Sequence, residues 1–184
     1  MSEGGAPEAW CVIENLWRSL YCRKGLSLIH DPMGPDAASL LGNTYFWSSF
    51  YTTAGNNDHI LYVRNDSSDS FLRINYASLT SSKTTNYSIH YATGTPGGTL
   101  VTGVNSNRSI LNIAEATAYG DADVTGLTPG GVIRATTTAS VTSVNIDLGN
   151  NIVLGDGDSI AIQVLDTNGN SDVGITLIGH YADE

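Results

Sequence analysis

Charge is scarce in this sequence. Asp, Glu, Lys and Arg make up 14% of its 184 residues, against about 25% in an average domain. The charge that is present leans one way, to a net −10. No Lys or Arg follows Arg134, while seven acidic residues do. Phosphate contacts need clustered Lys and Arg, so nucleic acid is not an expected partner. Cysteine is almost missing too: Cys11 and Cys22 stand alone. Two cysteines make no disulfide framework, and the expectation is two reduced thiols in a protein made in a cytosol. No apolar run reaches membrane-spanning length. The opening residues MSEGGAPEAW lack the basic and apolar regions of a secretory signal, so neither a membrane partner nor export is expected. With so little charge, the surface must be covered largely by Ser, Thr, Asn and Gly, which suits an assembly or an extracellular setting.

Alternation is what the sequence does have. The stretch from His59 to Leu79 holds two such runs around Asp66–Asp69, four turn formers. In the first, Leu61 and Val63 fall on one face and Ile60, Tyr62 and Arg64 on the other. In the second, Leu72, Ile74 and Tyr76 oppose Phe71, Arg73 and Asn75. The pattern predicts a two-stranded ribbon with one buried face, which the remaining chain must cover. Residues 44–53, TYFWSSFYTT, form a strand by their aromatic and β-branched content. Residues 86–92 come next, with Tyr87, Ile89 and Tyr91 on one face and Ser88 and His90 opposite. GTPGGT at 94–99 reads as a hairpin turn, and 99–104 as a short strand. Residues 105–117 read as irregular, passing into a strand through 114–119. An acidic loop is expected at 120–126 and a turn at 128–131. Strands are expected at 132–138, at 141–148, at 152–154 after a GNN turn, and at 159–165 with Ile160, Ile162 and Val164 inward. GDGD at 155–158 is a turn and 166–172 a hairpin tip. The last strand, 173–180, turns Val173, Ile175 and Leu177 inward.

That makes eight to ten strands with no long helical pattern. The predicted fold is all-β: an antiparallel, jelly-roll-like β sandwich over residues 44–184. Residues 1–43 form an N-terminal arm and linker. Within it Trp10, Ile13, Trp17 and Leu20 recur at helical spacing, with Leu16 beside them. A strand from Leu16 to Arg23, turning at Lys24-Gly25 into Leu26–Ile29, fits as well. These five residues are the candidate partner-binding set, against the alternative that they pack on their own body.

Catalytic and metal motifs are thin. There is no G-x-S-x-G, H-E-x-x-H or Walker sequence, and GTPGGT lacks the lysine of a phosphate loop. His30, His59, His90 and His180 lie far apart without ligand spacing, and surface or strand positions are their expected place. Asp156 and Asp158 could pose as a glycosidase acid pair, yet Gly-Asp-Gly-Asp before an apolar strand is ordinary turn chemistry. Asp166, Asn168, Asn170 and Asp172 place oxygens at alternate positions like a calcium loop. The distal Glu is missing, and Asn-Gly suits a turn. Asn65, Asn86 and Asn107 each open an N-x-[ST] triplet, which chance explains here. No catalytic residue, metal or cofactor is expected.

The tail LGDGDSIAIQVLDTNGNSDVGITLIGHYADE resembles the final strands of small jelly-roll virion proteins of tailed bacteriophages, with Gly157, Asp158 and Ser159 as the turn and Tyr181 and Glu184 near the end. ILYVRNDSSDSFLRI and GGTLVTGVNSNRSILNIAEATAY are similar to other parts of such proteins. The resemblance covers roughly residues 44–184. It implies a non-enzymatic virion role, most directly capsid decoration (cement) on the capsid surface. The implied partners are the major capsid protein and further copies of the chain, as a trimer. A fibre or spike head recognising host glycan is the alternative, for which Tyr45, Trp47, Phe50 and Tyr51 would supply an aromatic platform.

Overall fold

The computed structural model describes residues 42–110, 112–167 and 169–183. The candidate partner set Trp10, Ile13, Leu16, Trp17 and Leu20 lies outside these residues. Among the described residues there are nine strands: β1 Thr44–Thr53, β2 Asp58–Asn65, β3 Ser70–Ser81, β4 Thr85–Leu100, β5 Val104–Asn105, β6 Ala116–Thr138, β7 Thr142–Leu154, β8 Ser159–Thr167 and β9 Ser171–Asp183. No helix appears among the described residues, and so none there could cross a membrane. The strands make two antiparallel sheets. Sheet A has the order β5-β1-β9-β3-β7, and sheet B joins β2, β6, β4 and β8 into a ring. The expected all-β sandwich is the fold.

The two sheets bury a common core that includes Trp47, Leu61, Leu72, Ile74, Tyr87, Ile89, Ile162, Val173 and Leu177. As expected, Ile160, Ile162 and Val164 of β8 and Val173, Ile175 and Leu177 of β9 point into it. Each such side chain contributes roughly 1.5–3 kcal/mol by leaving water, which is why period-two patterning dictates so much of this chain.

Connectivity departs from the local reading. β2 and β3 do not pair as a ribbon: β2 pairs with β6 and β8, and β3 with β7 and β9. The 66–69 turn therefore crosses from one sheet to the other. The 166–172 tip does the same, joining β8 of sheet B to β9 of sheet A. Short turns of this kind close a sandwich as readily as a hairpin, and burial of both apolar faces decides between them.

Bulges correct several face assignments. Asn75 is an extra residue in β3 relative to β9, so the inward phase moves from Ile74 to Ala77 and Leu79. Tyr76 is thereby turned out, 39% exposed, instead of sharing a buried face with Ile74. Ile60 is an extra residue in β2, and both Ile60 and Leu61 enter the main core. Tyr91 is 43% exposed, at a point where the β4–β6 register slips on both sides of His90. The GNN segment is no chain reversal: 148–151 bulge out of β7, whose two halves both pair with β3.

The Gly/Pro segments are the largest correction. GTPGGT lies within β4, and 120–126 and 128–131 lie within β6; they face each other, Gly94 opposite Leu127 and Gly97 opposite Thr125. Gly94 and Gly126 have φ of 115° and 77°. A Cβ on Gly94 would strike the carbonyl oxygen of Gly126, and one on Gly126 that of Thr95. Glycine here permits backbone-to-backbone approach inside an irregular ladder, not a turn.

Candidate functional site

The pairs from Ala116 with Asn65 to Gly120 with Leu61 join β6 to β2, while the rest of β6 runs along β4. This closes sheet B, and the side chains turned away from the main core form a second cluster of Tyr62, Ala92, Val124 and Ala161, with Tyr119 and Leu127 packed against it. His59 and His90 lie on the same face of the sheet: Ala161 pairs with both Tyr62 and His90, and Gln163 with His59. Their rings lie 5.2 Å apart, edge to face, and the two residues are 7% and 1% exposed. His90 Nδ1 lies 2.8 Å from the carbonyl oxygen of Tyr91. A carbonyl only accepts, so Nδ1 carries the proton and Nε2 is bare. Nε2 of both rings is buried without a hydrogen-bond partner. Burial first, and His90 second, push the His59 pKa down, opposed by Asp123 and Asp58. The sequence placed these histidines apart and on strands or the surface. The structure brings two together in the interior, because β2 and β4 both flank β8. His180 is buried separately, and His30 lies outside the described residues.

The other candidate acids serve turns. Asp158 accepts from the backbone N–H of Gly155 at 3.0 Å, and Asp156 is exposed on the same turn. Asp172 accepts from the Thr52 hydroxyl, and its backbone N–H donates to Ser82 Oγ at 2.9 Å. Among the described residues no group of three or more His, Cys, Asp or Glu could hold a metal. Asn65 is fully buried; its amide nitrogen donates to the carbonyls of Ser70 and Leu154, both at 2.9 Å. The aromatic platform does not form, since Tyr45 and Trp47 are 2% and 0% exposed. Tyr51 is half-buried, its hydroxyl donating to the Gly120 carbonyl at 3.1 Å.

Phe50 alone of the four stands out, 70% exposed, and it belongs to an ordered surface. Cross-strand partners in a sheet share a face. On the outer face of sheet A, Val104, Phe46, Ile178 and Tyr76 form one row across β5, β1, β9 and β3. Ser48, Thr176 and Ser78 form the next, and Phe50, Gly174 and Thr80 the third. No charged residue stands in these rows on β5, β1, β9 and β3, and Asp147 of the edge strand β7, opposite Tyr76, bounds the first. Ser48 Oγ and Thr176 Oγ1 are 2.9 Å apart and bonded. A Cβ on Gly174 would come within 2.5 Å of Thr80 Oγ1 and 3.1 Å of the Phe50 ring, so glycine leaves a shallow groove between Phe50 and Thr80. Sequence reading missed this surface because the bulge at Asn75 is what turns Tyr76 outward.

No family model, curated protein or solved structure matches the chain.

Proposed function

We propose that this protein is a non-enzymatic structural component of a tailed-phage virion, a capsid decoration protein with a jelly-roll body. The carrying observation is the outer face of sheet A: three rows without charge across β1, β9 and β3, meeting Asp147 only at the edge strand β7, with Phe50 proud of them, on a chain of net charge −10. A face without charges can be covered by a partner with little desolvation cost, and aromatic side chains are enriched where interfaces bury area. The strand orders β1-β9-β3-β7 and β2-β8-β4-β6, with β5 an appendage, support the jelly-roll reading. So does the sequence resemblance across residues 44–184.

In this reading the face docks on the assembled shell of major capsid protein, and residues 8–43 reach a neighbouring subunit through Trp10, Ile13, Leu16, Trp17 and Leu20. A ligand that binds only the assembled shell stabilises it by mass action. Closed symmetry, here a trimer, would multiply each contact. The test is co-sedimentation with undecorated capsids. Wild type should bind saturably, Phe50→Asp and Thr176→Arg should bind at least about tenfold more weakly, the scale of an interface hot spot, and a chain lacking residues 1–30 should stay folded and fail to bind. Undiminished binding by all three would overturn the reading. Absent capsid binding with saturable attachment to host cells would replace it with a glycan-recognition module.

A further inference from the structure

We infer that the His59–His90 pair is an acid-sensitive latch, which holds the middle of β6 closed over β2, β8 and β4 near neutral pH and releases it on acidification. The geometry supplies each part. Both rings are enclosed where sheet B closes on itself, 5.2 Å apart. His90 already spends its Nδ1–H on the Tyr91 carbonyl. A proton taken up at its bare Nε2 creates a buried N–H with no acceptor, which is costly. The same proton places a positive charge beside His59, and a second on His59 adds like-charge repulsion.

The latch also has a moving part. The backbone N–H of His59 donates to Asp123 Oδ1 at 3.2 Å, the side-chain tie between β2 and the middle of β6. Next to Asp123, Val124 is fully buried in the small cluster with Tyr62, Ala92 and Ala161. That cluster is far smaller than the main core, and the β4–β6 ladder above it is interrupted by four register slips. Fewer apolar contacts and broken pairing mark a segment that opens before the whole molecule does.

The charged groups near the pair come from β2 and β6. β2 contributes Asp58, whose carboxylate is engaged by the Thr53 hydroxyl and by the Gly55 N–H at 3.1 Å. β6 contributes Asp123, while its Arg134, opposite Ile89, is exposed to solvent. β8 presents Ala161 and Gln163 opposite the histidines, neither of which titrates. The two carboxylates favour protonation of His59, but burial and His90 outweigh them. Protonation is therefore disfavoured while the latch is closed, so acid drives it open.

Hydrogen exchange on the full chain tests this. Between about pH 7.5 and about pH 5.5, the histidine window, amides of 119–127 and 58–62 should open more often as pH falls, after correction for intrinsic exchange, because the open form binds more protons. Amides of β9 should lag behind. In His59→Gln/His90→Gln the acid response of 119–127 should vanish. Retention of the full response in that double variant, or no response in wild type, overturns the latch. Should the variant not fold, NMR titration of the wild-type imidazoles decides. The His59 ring should titrate below free histidine with the amides of 121–127 shifting in step; ordinary titration of His59 with those amides unmoved refutes the proposal.

Discussion

His180 Nδ1 lies 2.8 Å from Asn75 Oδ1, across 105 residues of sequence and wholly inside the protein. Asn75 is the residue that bulges from β3, and His180 sits on the neighbouring β9. The side-chain bond thus joins the two strands where their ladder is interrupted. Removing the acceptor strands a buried imidazole N–H, at a cost of about 1–3 kcal/mol. Asn75→Ala should lower the urea midpoint accordingly, with an unchanged denaturant slope. A midpoint equal to wild type would mean that the bond contributes nothing to holding the bulge.

Stability should also fall with acid through this same residue. Burial, and secondarily Arg73, lower the His180 pKa from its ordinary 6.5. The unfolded chain then binds more protons, so stability is complete above about pH 6.5 and is lost as pH falls below it. His59 acts in the same direction, for its pKa is likewise lowered. Urea melts of His180→Gln should show a shallower decline below that pH than wild type. Parallel pH profiles would argue against the assignment.

Two glycine positions with similar backbone angles should respond very differently. Gly126 and Gly157 have φ of 77° and 78°. A Cβ at Gly126 meets a backbone carbonyl, whereas one at Gly157 meets nothing within 4 Å. Gly157→Ala should therefore cost only the left-handed backbone penalty, roughly 1–2 kcal/mol. Gly126→Ala should cost clearly more, since backbone must shift as well. Thermal melts of the pair check the order, and equal losses would count against close approach as the reason for Gly126.

Ile74 and Ile162 are both fully buried in the main core. An unpaired carboxylate there consumes several kcal/mol, on the order of the whole stability margin. Neither Ile74→Asp nor Ile162→Asp should give a cooperative melt by circular dichroism. Wild-type melting in both would contradict their placement.

The loop from Asp166 to Asp172 should take up no calcium. Asp172 is already engaged with Thr52 and Ser82, and Asp166 is exposed. Calorimetric titration should yield only heats of dilution; micromolar binding abolished by Asp166→Ala would reverse this expectation.

The sequence by itself determined that β1, β8 and β9 are strands, and which residues of β8 and β9 point inward. Period-two alternation of Ile160, Ile162 and Val164, or of Val173, Ile175 and Leu177, is a property of the backbone repeat and needs no knowledge of neighbours. It likewise made 66–69 and 155–158 reversals, because Asp, Ser and Gly favour turn conformations locally. Tertiary structure decided everything that depends on a partner. A short turn does not say whether the next strand pairs beside the last or crosses to the opposite sheet, so the 59–79 stretch looked like a ribbon and is split between sheets. The bulges at Ile60 and Asn75 leave no compositional mark, yet each shifts the phase of the residues after it and so chooses which side chains meet solvent. Gly94 and Gly126 signal a turn from composition, but their carbonyl contacts across the β4–β6 ladder place them within strands. His59 and His90 became neighbours only because β2 and β4 both flank β8, a pairing fixed by closure of the whole core.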